Sequence, residues 1–148
     1  MTNSEVVRKL LDALDAGDFD TARDLIDPDF STTPHTTGKP MGREEWIQIH
    51  RDVHESFPTM RHNPTNFREE GDDVHLQNNP TATNDRPVRL ERYGIEDLPA
   101  TGIEMHAQPN PATFTVRNGK VVHVQSELPD GGGLPGMIDQ IRRAAAAR

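Results

Sequence analysis

The spacing of the apolar residues changes near Pro58, and this change constrains the fold more than any other feature of the sequence. Before Pro58, apolar residues recur at the three- and four-residue spacing of amphipathic helices. After it, short apolar and β-branched stretches are separated by Gly, Asn and Asp, as is typical of strands and turns. Helices followed by a run of antiparallel strands predict an α+β fold.

Three helices are predicted before Pro58. The first begins with a Thr2–Glu5 capping pattern and ends at Gly17. The second starts at about Asp18, and the third runs from about Arg43 to Pro58. Residues 27–42 are predicted to form a loop because they are rich in Pro, Thr, Gly and Asp.

Strands are predicted over most of the remaining chain. Residues 59–70 and 73–83 flank an acidic turn, residues 86–95 form a further strand, and another covers part of 103–117. Asn118-Gly119 suits a type I′ hairpin turn that leads into the last strand. A C-terminal amphipathic helix is predicted at about 134–147.

Size and charge narrow the class of protein. The chain has 148 residues, which predicts a single domain over 1–148. The net charge of −8 argues against nucleic acid and anionic membrane surfaces as partners. The absence of cysteine excludes disulfides and thiolate sites, and no apolar segment reaches membrane-spanning length. We therefore expect a soluble, cytoplasmic protein.

The last predicted strand has an unusual face. On one parity it reads Val121, His123, Gln125 and Glu127, whereas a strand normally buries one apolar face. A histidine, an amide and a carboxylate on the same side of a strand do not form such an apolar face.

The order of four segments resembles a known family. GREEWIQIHRDVHESFP, EEGDDVHLQ, GIEDLPATG and FTVRNGKVVHV occur in the sequence and spacing found in the SnoaL-like branch of the nuclear transport factor 2-like superfamily, which includes polyketide cyclases. The resemblance covers most of residues 4–128. It implies a cone-shaped, strongly curved antiparallel sheet wrapped by the N-terminal helices, with a pocket in its mouth, and a homodimer.

The resemblance implies that the polar residues of the last strand belong to a functional site. In such a cone the concave face lines a cavity, so Glu127 becomes a candidate general acid/base, His123 a proton shuttle or orienting residue, and Gln125 a ligand-binding residue. The late aspartate of the family aligns with Pro129 here, and Asp130 is one residue off. Each of these polar residues also has a plain interpretation as an exposed strand or turn residue.

Further candidates lie outside this strand. Trp46 and His50 share the inward sector of the third helix, His50 being a catalytic and Trp46 a ligand-binding candidate. His50 and His54 have the spacing of paired zinc ligands, but no third ligand is evident, so no metal is predicted. The remaining ligand-binding candidates are His35, Asn78 and His106.

These observations predict a pocket for a small hydrophobic or carbonyl-bearing molecule. If the protein is an enzyme, we expect cofactor-free acid/base chemistry of the aldol-cyclase or isomerase type. No phosphate loop, nucleophile elbow or dinucleotide fingerprint is present in the sequence, so no cofactor is predicted. The alternative is a non-catalytic ligand-binding or dimerisation module of the same fold.

Overall fold

The structure is a computed structural model that describes residues 1–33 and 38–147. The helices are α1 (Asn3–Ala16), α2 (Phe19–Asp24), α3 (Arg43–Ser56) and α4 (Gly133–Ala146). The strands are β1 (Ile26–Thr32), β2 (Met41–Gly42), β3 (Thr65–Glu70), β4 (Asp73–Asn78), β5 (Thr81–Thr83), β6 (Glu104–His106), β7 (Asn110–Arg117) and β8 (Lys120–Ser126). A short 3₁₀ helix spans Glu91–Tyr93.

Six strands form the main sheet, in the order β2-β1-β8-β7-β4-β3, and β5 pairs with β6 in a small second sheet. The pair β1–β8 is parallel and the other pairs are antiparallel. The sheet is curved and open, and the N-terminal helices pack against it, so the predicted α+β architecture is confirmed.

The helix boundaries follow the predicted signals. Thr2 caps α1 by accepting a hydrogen bond from the Glu5 backbone N–H (3.1 Å), and Gly17 ends the helix with φ +73°. The face of α1 that packs on the sheet is fully apolar; it consists of Val6, Val7, Leu10, Leu11, Ala13 and Leu14. Burial of this face holds α1 on the sheet.

The prediction of a loop at 27–42 is wrong at both ends of this range, where the chain forms β1 and β2. Pro28 lies inside β1, where the register with β8 is interrupted between Ile26 and Ser31. Its missing N–H therefore falls at a gap in the ladder, where a proline is tolerated.

Two predicted strand boundaries are also wrong. Residues 86–95 contain the 3₁₀ helix instead of a strand, with only an isolated bridge between Val88 and Leu98. The strand predicted at 73–83 is divided into β4 and β5 at Asn79-Pro80, since a proline cannot donate to the ladder.

The β7–β8 hairpin confirms the predicted turn but not the predicted strand face. Asn118 and Gly119 have φ +53° and +74°, as a type I′ turn requires. Val116 pairs with Val121, but Thr115 pairs with His123, so Val122 is an extra, bulged residue.

The bulge reverses the parity of the rest of β8. Val121 and Val124 are both buried, and Phe114 pairs with Val124 instead of His123. The prediction that His123 and Gln125 face inward together with Val121 is therefore wrong.

Two clusters of buried apolar side chains form the core. The first packs α1, α2 and the start of α3 on the main sheet. The second joins the end of α3, β5, β6, the 88–98 segment and α4. In the part of the chain that the structure describes, no helix is long and apolar enough to cross a membrane.

Candidate active site

A cavity of about 260 Å³ lies between the two clusters of buried side chains and opens at one side. Its apolar wall consists of Leu11, Leu14, Trp46, Ile49, Val53, Met60, Pro80, Phe114, Val124, Leu128, Gly133, Leu134 and Pro135. Its polar groups are Asp15, Thr32, Thr33, His50, His54, His62, Asn78, Asn110 and Ser126. A mostly apolar cavity with a few polar groups is the usual form of a small-molecule site.

Asp15 and His62 form a hydrogen-bonded pair in this cavity. The His62 Nδ1–H donates to Asp15 Oδ1 at 2.6 Å, and the His62 backbone N–H donates to Asp15 Oδ2 at 3.0 Å. Both side chains are only 13% exposed. Because an ionised carboxylate can only accept, the Nδ1 hydrogen of His62 is directed to Asp15, and the neutral form of this imidazole carries its lone pair on Nε2.

The position of Asp15 on α1 is electrostatically unfavourable. It lies in the last turn of the helix, where the dipole is negative and a carboxylate is repelled. Four residues after Leu11, it projects from the same side of α1 that lines the cavity. The hydrogen bonds from His62 explain why an acid is accommodated there.

His50 supplies a second imidazole next to this pair. Its ring lies 6.3 Å from the His62 ring, nearly parallel to it, and 4.2 Å from the Trp46 ring, centroid to centroid. The His50 Nδ1–H donates to the Trp46 carbonyl at 2.9 Å. Burial lowers the pKa of His50 to about 4, despite the favourable carbonyl contact. His50 is therefore neutral at physiological pH, with Nε2 available as an acceptor.

Two asparagines lie on the sheet side of the cavity. Asn78 at the end of β4 and Asn110 at the start of β7 are directly paired, and each is buried. No hydrogen-bond partner reaches the Oδ1 of Asn78 among the described residues.

The structure places three of the predicted site residues in the cavity, and four of the other described ones outside its lining. Trp46, His50 and Asn78 line it. His123 and Gln125 instead border a second depression of about 290 Å³, which shares Thr33, Val124 and Ser126 with the cavity.

Glu127 and His106 are separate from the cavity. Glu127 is exposed, and its backbone N–H donates to the Pro111 carbonyl. The His106 side chain is 65% exposed and lies beside Glu104 on β6. His35 lies outside the described residues.

The sequence analysis missed Asp15, His62 and Asn110. An acid in the last turn of a helix is the signal that identifies Asp15, since it opposes the dipole. His62 and Asn110 lie in irregular or strand-end segments and carry no local pattern. Within 1–33 and 38–147, no group of three or more His, Cys, Asp or Glu side chains is arranged to hold a metal ion.

A curved open sheet that covers a cavity with helices on one side defines the nuclear transport factor 2-like class of α+β proteins. The chain belongs to the SnoaL-like domain family, whose pattern it matches over residues 7–124. No curated protein matches its sequence.

Several solved structures share the fold. IdmH of Streptomyces antibioticus, a candidate polyketide cyclase, is 24% identical with a TM-score of 0.73, covering 86% of this chain and 91% of its own. A candidate SnoaL-like polyketide cyclase from Jannaschia sp. CCS1 is 27% identical with a TM-score of 0.68 and coverages of 84% and 83%. AclR of Streptomyces galilaeus, a candidate hydroxylase, is 15% identical with a TM-score of 0.68 and coverages of 84% and 86%.

Proposed function

We propose that the protein is a cofactor-free acid/base enzyme that removes a proton next to a carbonyl of a small neutral molecule. His62 is the general base, and Asp15 orients it. The observation that carries the proposal is the 2.6 Å hydrogen bond from His62 Nδ1–H to Asp15 in a mostly apolar cavity.

The tautomer of His62 determines its role. With Nδ1–H bound to Asp15, the lone pair on Nε2 takes the proton from the carbon, and the C–H electron pair moves into an enolate. Asp15 stabilises the imidazolium that forms, as a carboxylate does beside a catalytic histidine. In an isomerisation the imidazolium returns the proton to a different carbon. In an aldol cyclisation the enolate carbon attacks a second carbonyl, whose C=O π bond opens to an alkoxide, and the imidazolium gives its proton to that oxygen.

The cavity lining limits the substrate. At about 260 Å³ it is near the lower end of ligand-pocket sizes and suits a molecule of one or two rings. Trp46 and Phe114 offer flat apolar surfaces, and none of the described lining residues is a lysine or arginine. A neutral, mostly apolar carbonyl compound fits this lining. The candidate polyketide cyclases of the same fold favour aldol cyclisation as the reaction type.

The test is hydrogen–deuterium exchange into 2-tetralone, a neutral bicyclic ketone with acidic protons beside its carbonyl. We expect the wild-type protein to accelerate exchange, measured by NMR, and H62Q to lower the rate by about 10²-fold or more. E127Q is the matched control and retains the wild-type rate, because Glu127 is exposed. Equal exchange rates for wild type and folded H62Q would remove His62 from its assigned role.

A non-catalytic ligand-binding protein is the second candidate function. The observation in its favour is that the Asp15 contacts also tie two segments together: Arg61 Nη1 donates to the Asp15 carbonyl at 3.4 Å, next to the two hydrogen bonds from His62. If the pair is only structural, H62Q lowers the melting temperature, and neither protein exchanges 2-tetralone faster than buffer. Homodimer formation and a cytoplasmic location stay predictions.

A further inference from the structure

We propose that Asn78 and Asn110 form a recognition pair for a ligand group that presents a hydrogen-bond donor beside a carbonyl acceptor. The ligand class is a neutral cyclic compound whose carbonyl adjoins an N–H or O–H, of which a lactam is the simplest example. The inference rests on the proposed function only in that the cavity is taken as the ligand site.

The sheet register brings the two amides together. Asn78 and Asn110 are the last pair of the β4–β7 ladder, and they are 7% and 6% exposed. Directly opposed residues on neighbouring strands have their Cβ atoms about 5 Å apart. Both residues line the same cavity, so the ladder presents two adjacent amides to its interior.

The Asn78 amide lacks a hydrogen bond that a ligand would supply. Its Oδ1 is the one buried side-chain oxygen or nitrogen without a partner in the part of the chain described. Such a group is rare in native proteins because it loses its hydrogen bonds to water without replacement.

Other asparagines of this chain show how a structural amide is normally satisfied. Asn84 is fully buried, and its Oδ1 accepts from both the N–H and the hydroxyl of Thr101, at 2.7 and 2.6 Å. Gln77 Nε2 donates to Asn79 Oδ1 at 3.1 Å. Asn78, between these last two residues in sequence, points to the cavity instead and has no such contact for its oxygen.

Two adjacent amides match a donor–acceptor edge. One amide oxygen can accept from the ligand N–H or O–H, while the neighbouring NH₂ donates to the ligand carbonyl. Neither amide carries a charge, so the pair favours a neutral group over a carboxylate.

The pair also lies close to the proposed base. The backbone N–H of Asn79, the residue after Asn78, donates to the His62 carbonyl at 2.8 Å. A ligand held by Asn78 and Asn110 is therefore held beside the segment that carries His62.

The probe is 2-quinolone, a neutral two-ring lactam with N–H and C=O on one edge. It is compared with N-methyl-2-quinolone, which lacks the donor, and 4-methyl-2-quinolone, which has the same added methyl but keeps the donor. Calorimetry gives the dissociation constants. Quenching of Trp46, the only tryptophan of the chain, reports whether the probe occupies the cavity.

We expect 2-quinolone and 4-methyl-2-quinolone to bind wild type at least about ten-fold more tightly than N-methyl-2-quinolone. N78L and N110L each weaken 2-quinolone by about ten-fold and leave N-methyl-2-quinolone within about two-fold. Q125A is the matched control, since Gln125 is an exposed amide on the other face of β8, and it binds as wild type.

Three outcomes overturn the proposal: no binding of 2-quinolone to wild type, equal binding of the three probes, or unchanged selectivity in N78L and N110L. The first two of these outcomes are read on wild type, so the proposal can be overturned even if both variants fail to fold. The exchange rate of H62Q and the probe selectivity of N78L are measured in separate assays, so failure of the proposed base and failure of the amide pair are distinguishable.

Discussion

At the residue scale, the contacts of Asp15 explain how the carboxylate–imidazole pair of the site is held in place. A carboxylate at the negative end of α1 is unfavourable by itself, on the order of 0.5 kcal/mol. Two hydrogen bonds from His62 offset this repulsion and hold the carboxylate in an environment that is largely shielded from water. The same contacts set the imidazole tautomer that the proposed chemistry needs.

His50 makes stability depend on pH in the acidic range. Its pKa is lowered from 6.5 to about 4, chiefly by burial, so between these values the unfolded chain binds a proton that the folded chain does not. The free energy of unfolding therefore falls as the pH drops from about 6.5 to about 4. We expect a loss on the order of 2 kcal/mol, below the full effect of the shift because the ring borders the cavity. Urea denaturation at several pH values measures it.

The control for this prediction is the same substitution at a second, exposed histidine. H50Q is expected to flatten the dependence over that pH range, whereas H106Q, a change at an exposed histidine, keeps the wild-type slope. A wild-type slope in H50Q would show that the neutral, partly buried state of His50 does not contribute.

At the element scale, one extra residue decides which face of β8 lines the cavity. Val122 is bulged, so Val121 and Val124 both point to the core, and Ser126 follows them into the cavity wall. A regular strand would have turned His123 and Gln125 inward. No local sequence signal marks a bulge among VVHV, because each of these residues is an acceptable strand residue.

Single cysteines test this bulge directly, since the chain has no cysteine of its own. We expect Q125C to react quickly with a water-soluble aromatic disulfide, because residue 125 is exposed, and V124C to react slowly, because Val124 is 7% exposed. Absorbance of the released thiolate gives both rates. The opposite order, with V124C the faster, would mean that β8 is regular and that the polar face lines the cavity.

At the scale of the whole molecule, the order of helices followed by strands was predictable, whereas β1, β2 and most of the site residues were not. The capping residue Thr2, the stop at Gly17 and the Asn118-Gly119 turn act locally, so sequence alone gave α1 and the last hairpin correctly. β1 was not predicted, because a proline such as Pro28 indicates a loop. Only the structure shows that the pairing of β1 with β8 has a gap at this position, where a proline is tolerated.

The site residues come from distant parts of the chain. Asp15, His62, Asn78 and Asn110 lie on a helix end, a connecting segment and two strand ends, and only the fold brings them together. Trp46 and His50 were predictable because helical spacing fixes their direction on α3. Glu127 and His123 followed from an assumed strand parity that the bulge reverses.

The most direct test of the central claim is a double-mutant cycle in the 2-tetralone exchange assay, with D15N, H62Q and the double variant. If Asp15 acts by orienting His62, D15N lowers the rate, and adding it to H62Q causes no further loss, because the two residues act as a unit. Strictly additive losses, or a wild-type rate in folded D15N, would contradict the account.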